Sequence, residues 1–264
     1  MALPHDRSGL LWNDGPTARF TKSMERWINA MYSDDPSDTD VITAGQSVSR
    51  IIAKEDGVLS GRPILDYLIE NYCNGATTEW NFTEGQGFQK GQEIASIVAK
   101  SDEILKIERI CMNLITRLSG IASTTSKWSE QLGGVYLAAT RKTNWGVLDK
   151  WAVHIGGGLT HRLDRSDGLM IKENDFSMSK LTLEEILSTF RTATDFPVIE
   201  VVSSDQALSV ANSWIELQSG LSTTYQLTLM MDNLGPENCR EFSDRLVDMG
   251  LRQKFVLEGS GRVR

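Results

Sequence analysis

Apolar positions recur at helical spacing in three stretches of the first half. Met24, Trp27, Ile28 and Met31 predict a helix over 21–33, and Ile64 to Tyr72 reads as a second. Ile104, Ile107, Cys111, Leu114 and Leu118 predict a third over 103–118, with Ser119-Gly120 as its C-terminal stop. Residues 34–40, Asp-Asp-Pro-Ser-Asp-Thr-Asp, read as a solvated turn. Val48–Leu59 reads as extended chain broken at Asp56-Gly57. Trp80–Ile97, punctuated by Glu84-Gly85 and Lys90-Gly91, reads as hairpin-like strands. Together these predict an α+β domain over residues 1–120.

The second half changes rhythm. Strand-like apolar runs occur at Val135–Ala139, Leu169–Ile171, Val198–Val202, Leu227–Met231 and Phe255–Leu257. Helical stretches lie between, at Leu183–Thr192, Asp205–Glu216 and Pro236–Met249. Each run carries charge at or near its end: Arg141 and Lys142, Lys172, Glu200, Asp232 and Glu258. From Arg141 onward these charges are spaced by 31, 28, 32 and 26 residues. That is the period of parallel strand–helix units. This period predicts an α/β (TIM-like) barrel over residues 121–264, with a doubly wound parallel sheet as the alternative. In a closed barrel the C-terminal strand ends converge on one mouth, bringing these charges together.

Composition narrows the chemistry. With 264 residues, 40% hydrophobic and 23% charged, the chain is of ordinary globular make-up, and it has no apolar run long enough for a membrane span. The first twenty residues lack the apolar stretch of a signal peptide, so a cytoplasmic protein with no membrane partner is expected. Net charge is −8, a poor balance for binding nucleic acid. Its distribution is uneven: residues 1–100 carry −5, 101–180 carry +2 and 181–264 carry −5. A local cationic site in an acidic chain suits a small anion. Cys73, Cys111 and Cys239 are widely spaced and His5, His154 and His161 are the whole histidine complement, which argues against a disulfide framework and a zinc cage.

Arg141, Lys142, Arg162 and Lys172 suit carboxylates or phosphates, arginine as a bidentate fork and lysine as a point charge. The acidic residues suit Mg²⁺, which takes one or two carboxylates plus substrate phosphates. His161 beside Arg162 could donate a hydrogen bond. Gly156-Gly157-Gly158 reads either as amides near an anion or as a turn. Arg109, Asn113 and Thr116 share the polar face of the third helix, which periodicity alone reads as solvated.

The ordered motifs carry a resemblance. They are Glu108-Arg109 with Asn113, Leu118-Ser119-Gly120-Ile121-Ala122 with Thr124, Thr140-Arg141-Lys142-Thr143, and Gly157-Gly158 with His161-Arg162. Ile171-Lys172 with Asn174, Met231-Asp232-Asn233 and Leu257-Glu258 with Ser260-Gly261 follow. Upstream, Asp38-Thr39-Asp40 with Thr43, and Lys54 to Gly61, also fit. The sequence resembles the quinolinate phosphoribosyltransferases, also called carboxylating nicotinate-nucleotide pyrophosphorylases.

The resemblance implies an N-terminal α/β domain, an open α/β barrel and a homodimer or higher oligomer. It implies Mg²⁺-dependent transfer of phosphoribosyl from phosphoribosyl pyrophosphate to quinolinate, with loss of CO₂. Arg141, Arg162, Lys142, Lys172 and His161 would hold carboxylates and phosphates, and Ser260 and Gly261 would join the substrate site. Glu200 and Asp232 would face the Mg²⁺–ribose–pyrophosphate end and, with Lys142, be catalytic. Arg109 would reach a neighbouring subunit's site. Three departures stand out: Asp175 replaces the family histidine of Lys-x-Asn-His, Asn144-Trp145 replaces a proline, and a last barrel strand is expected beyond Arg264. Alternatives are a related transferase with another anionic acceptor and a non-catalytic anion-binding subunit.

Overall fold

The computed structural model describes residues 3–35, 45–172, 175, 178, 181–193, 196–219 and 226–261. The expectations for Pro36–Thr43, Glu173, Asn174, Arg262 and Arg264 lie outside these. The chain divides into two compact units, residues 1–163 and 164–264.

In the first unit, α1 (Ala18–Asp34) starts where the Thr17 hydroxyl accepts from Phe20 N at 3.3 Å. Strand β1 (Gln46–Ile52) and β3 (Thr77–Trp80) flank β5 (Glu93–Lys100), both antiparallel to it. Short β2 (Gly57–Val58) pairs with β4 (Gly87–Phe88), and α2 (Arg62–Tyr72) follows β2. The left-handed Gly61 precedes α2, and Glu84 takes over its cap. Glu84 accepts from Gly61 N and Arg62 N at 2.9 Å each, Ser60 Oγ at 3.2 Å and Trp151 Nε1 at 2.9 Å. A carboxylate there meets the positive end of the helix.

Helix α3 (Ser101–Gln131) corrects the expected stop at Ser119-Gly120. The buried stripe of Ile104, Ile107, Cys111, Leu114 and Leu118 continues through Ala122 and Thr125. Gly120 does not adopt the positive φ of a helix-ending glycine. The expected domain limit at 120/121 thus falls inside a continuous helix.

The sequence pattern did not reveal α4 (Val147–Ile155). Its end packs hard on α3: a Cβ at Gly156 would lie 2.3 Å from the Ala122 carbonyl oxygen, and one at Gly158 3.0 Å from Thr125 Cγ2. The expected strand at Val135–Ala139 is reduced to a parallel bridge between Ala138 and Leu159. Val135 and Tyr136 are exposed, so there is no apolar face to bury over that run.

In the second unit, β6 (Met170–Ile171), β7 (Val198–Val201), β8 (Leu227–Asp232) and β9 (Phe255–Ser260) form a parallel sheet in that order. Helices α5 (Leu183–Ala193), α6 (Ser204–Gln218) and α7 (Gly235–Asp248) alternate with them, the strand–helix order expected of a barrel. Thr182 and Glu185 cap α5 reciprocally, at 3.2 and 2.7 Å. Ile199, Val201, Leu227, Leu229, Met231 and Phe255 pack with Phe190, Trp214 and Phe242 from the helices. The alternate positions Met170, Val198 and Met230 join Phe196 on the other face.

Two outcomes follow. Gly156→Ala should cost about 2 kcal/mol in urea unfolding, because backbone must move, while Gly120→Ala should gain about 0.5–1 kcal/mol, since nothing lies within 4 Å of its added methyl. Burial raises the Glu84 carboxyl above its usual 4.5 despite its four donors. The folded chain thus holds that proton more tightly than the unfolded chain. The resulting stability is complete below the unfolded value and lost as pH rises through the folded one. The difference in unfolding free energy between the native protein and Glu84→Gln should therefore shift against the native protein from about pH 4 to pH 8.

Candidate active site

The first unit carries five of the expected site residues, on three segments. Arg109 lies exposed on α3 beside Asn113, Thr116 and Arg117, lining an open hollow of about 1130 Å³ that Trp145 closes at one edge. Arg141 and Lys142 are exposed on the loop that leads into α4. Lys142 N donates to Thr140 Oγ1 at 2.7 Å, which shapes that loop locally. His161 and Arg162 are buried at the end of the unit. His161 has φ +51°, a left-handed conformation rare for a bulky side chain. Its Nδ1 accepts from Arg162 N at 2.6 Å.

The glycine run ahead of His161 is a helix cap. Gly156 N donates to Ala152 O, Gly157 N to His154 O and Gly158 N to Val153 O, at 2.9–3.0 Å. With all three amides committed to α4, the turn reading holds and the anion cradle does not.

The second unit carries the other five. Glu200 pairs with Met230 and Met230 with Glu258, and one layer further Asp232 pairs with Ser260. Strand side chains alternate faces, so Glu200, Asp232, Glu258 and Ser260 share one face while the odd-numbered residues meet the helices. Lys172 Nζ donates to Glu200 Oε2. Glu200 is buried and Asp232 half-buried. Asp232 Oδ2 accepts from Asn233 Nδ2 at 2.8 Å. Asn233 is left-handed at φ +58° and donates its N–H to Ser260 O at 2.8 Å, extending the ladder. Gly261 has φ +74°, and a Cβ there would lie 2.3 Å from Asn233 Oδ1. Asp175 closes a turn on Lys172, its Oδ2 accepting Lys172 N at 2.8 Å and its N–H donating to Lys172 O at 2.9 Å.

Two family models match in tandem: the quinolinate phosphoribosyl transferase N-terminal domain over residues 38–119 and the C-terminal domain over 121–264. The chain belongs to the quinolinate phosphoribosyltransferase family. A probable carboxylating nicotinate-nucleotide pyrophosphorylase of Archaeoglobus fulgidus is 33% identical over 219 residues, spanning 81% of this chain and 80% of that one. One from Methanothermobacter thermautotrophicus is 28% identical over 226 residues, 82% of this chain and 76% of the relative. Among solved structures, NadC of Streptococcus pyogenes superposes with a TM-score of 0.77 at 25% identity, over 94% of this chain and 86% of that one. The nicotinate-nucleotide pyrophosphorylase of Francisella tularensis gives 0.76 at 22%, over 92% and 84%. The expected α+β part followed by barrel-type α/β part is the fold of this transferase family.

Sequence reasoning missed Arg117, Asp149 and Lys150. Asp149 is buried and takes a bidentate fork from Arg117, Nε to Oδ1 at 2.9 Å and Nη2 to Oδ2 at 2.8 Å. This partner holds the Arg117 guanidinium above its ordinary pKa. A signal was present: Asp149-Lys150 stands in the apolar stretch Val147–Val153, where charges need a reason.

The Leu118-Ser119-Gly120 motif proves architectural. Ser119 Oγ accepts from Ser60 N at 3.1 Å and donates to Ser60 O at 3.2 Å, and Ser123 Oγ accepts from Val58 N at 2.8 Å. Ser119→Ala strands two buried backbone groups. It should cost about 1–3 kcal/mol in denaturant unfolding while leaving substrate KM within twofold, a result read from paired stability and kinetic measurements.

Proposed function

We propose that this chain transfers phosphoribosyl from phosphoribosyl pyrophosphate to quinolinate with decarboxylation, giving nicotinate mononucleotide, pyrophosphate and CO₂. The observation that carries this reading is the register of β7, β8 and β9. It sets the carboxylates of Glu200 and Asp232, with Ser260, on one face at C-terminal strand ends, where α/β sheets bind ligands.

The residue roles follow from charge and geometry. Arg141 and Lys142, exposed on one loop of the first unit, would take substrate carboxylate and phosphate oxygens, as would His161 and Arg162; in the second unit Lys172 would do the same. As C1 of the ribose loses pyrophosphate it gains positive charge, which Glu200 and Asp232 would stabilise. The pyridine nitrogen then bonds to C1. The cationic ring stabilises the electron pair left on its carbon when the adjacent carboxylate leaves as CO₂, and that carbon then takes a proton from water to give nicotinate mononucleotide. Lys142 would steady that carboxylate before it departs. Gly261, in its left-handed turn, would let phosphate approach the backbone beside Ser260.

Glu200 and Asp232 offer the hard carboxylate oxygens that magnesium prefers, so they fit Mg²⁺ held jointly with the diphosphate. Bound there, the ion would neutralise charge on the leaving pyrophosphate. The protein would act as a homodimer or higher oligomer in the cytoplasm, with exposed Arg109 serving a neighbouring subunit. Among the described residues no helix is long and apolar enough to cross a membrane. The reading with another anionic acceptor leans on Asp175. Its carboxylate closes the turn on Lys172 N, a structural use that needs no altered acceptor.

The test is turnover with quinolinate, phosphoribosyl pyrophosphate and Mg²⁺, with product followed by mass. Nicotinate mononucleotide should form from quinolinate and not from nicotinic acid. Arg141→Ala should lower kcat/KM on the order of a hundredfold, the loss of a charged fork worth about 3 kcal/mol. Product from nicotinic acid alone would refute the reading.

A further inference from the structure

Helix α4 stands between the loop bearing Arg141 and Lys142 and the segment bearing His161 and Arg162, and adjacent buried charges on it reach both. Asp149 Oδ2 accepts from Asn144 N at 3.0 Å and Trp145 N at 3.1 Å, just after the first cation pair. Lys150 Nζ donates to Thr160 O at 2.7 Å, just before the second. Thr160 Oγ1 also accepts from Arg7 N at 2.7 Å, so the backbone ahead of His161 is held from two directions. Neighbouring helix positions diverge by about 100°, which lets consecutive residues serve segments on different sides.

The Asp149 end is anchored from outside α4. Arg117 on α3 forks onto the same carboxylate, and its guanidinium lies 4.8 Å from the centre of the Trp145 ring. Asp149 therefore receives four hydrogen bonds, two from a cation and two from loop amides. A buried carboxylate so engaged is costly to disturb and fixes whatever it binds. Lys150 is almost wholly out of solvent, at 1% exposure, and its ammonium meets a backbone carbonyl. A buried ammonium must spend its donors on hydrogen bonds, and one of these goes to the Thr160 carbonyl.

The geometry points to Asp149 and Lys150 as positioning residues for substrate binding: one short helix sets the separation and aim of the two cation-bearing segments. This rests on the proposed reading of Arg141, Lys142, His161 and Arg162 as anion-holding groups. The two residues touch no substrate. They act through backbone amides and a carbonyl, so their loss should appear in KM before kcat.

The experiment pairs steady-state kinetics with amide hydrogen exchange on the full chain. Asp149→Asn keeps shape but loses an acceptor. It should raise KM for quinolinate about tenfold with kcat changed less than threefold, and speed exchange in residues 140–146 about tenfold while residues 46–52 stay unchanged. Asp149→Glu should recover much of both. Lys150→Met should raise KM in the same way and speed exchange at 159–162. Arg117→Lys, which loosens the fork from the α3 side, should move KM and exchange at 140–146 in the direction of Asp149→Asn by a smaller amount.

Unchanged exchange at 140–146 in both Asp149→Asn and Arg117→Lys, or a fall in kcat with KM unmoved, overturns the proposal. If Asp149→Asn does not fold, Arg117→Lys alone decides. Native protein that fails to turn over quinolinate would instead sink the functional reading, while the exchange result still judges the brace.

Discussion

The backbone of residues 58–60 gives up water to helix α3 and receives two serine hydroxyls in return. That exchange orders much of the first unit. Ser119 and Ser123 stand one helical turn apart and meet alternate residues of an extended chain. A helix that stopped at Gly120 would leave Val58 N unpaired. Arg117, a turn earlier, meets Asp149, and because α3 continues it also presents Ala122 and Thr125 to the glycines after α4. The long helix is thus a common wall for the strand segment, the cationic loop and the short helix.

In the first unit the expected anion-holding groups are side chains rather than glycine amides. The glycine run that precedes His161 spends its amides on ending α4. These groups are supported by different means: a local hydroxyl for Lys142, a committed ring nitrogen and left-handed backbone for His161, and, in the second unit, an acidic partner for Lys172. The ion pair between Lys172 and Glu200 also keeps a buried carboxylate compensated.

Most helices and the parallel order were legible because they follow single periodicities. The apolar stripe of α3 and the roughly thirty-residue steps of the second half show directly in the chain. Legibility failed where tertiary partners decide. Helix α4 is only nine residues, bracketed by glycines, and its decisive contacts come from Arg117, 32 positions away. Ser119-Gly120 resembles a helix stop locally, and only the presence of Ser60 across the contact explains why the helix runs on. Residues 135–139 are apolar enough for a strand, but exposed Val135 and Tyr136 leave only one paired position. Of the site, the charges at strand ends could be chosen from spacing, whereas the groups that aim them could not.

The alternation in β7 and β8 has a bearing on how this enzyme can change over time. Glu200 lies between Ile199 and Val201, and Asp232 follows Met231, so chemistry and core differ by a single residue of register. A one-residue insertion within either strand would turn the carboxylate toward the helices and a branched or thioether side chain toward the opposite face. Such strands accept substitutions at their solvent-facing ends but no change of length. A change of length should therefore be tolerated in the connections and not inside β7 or β8.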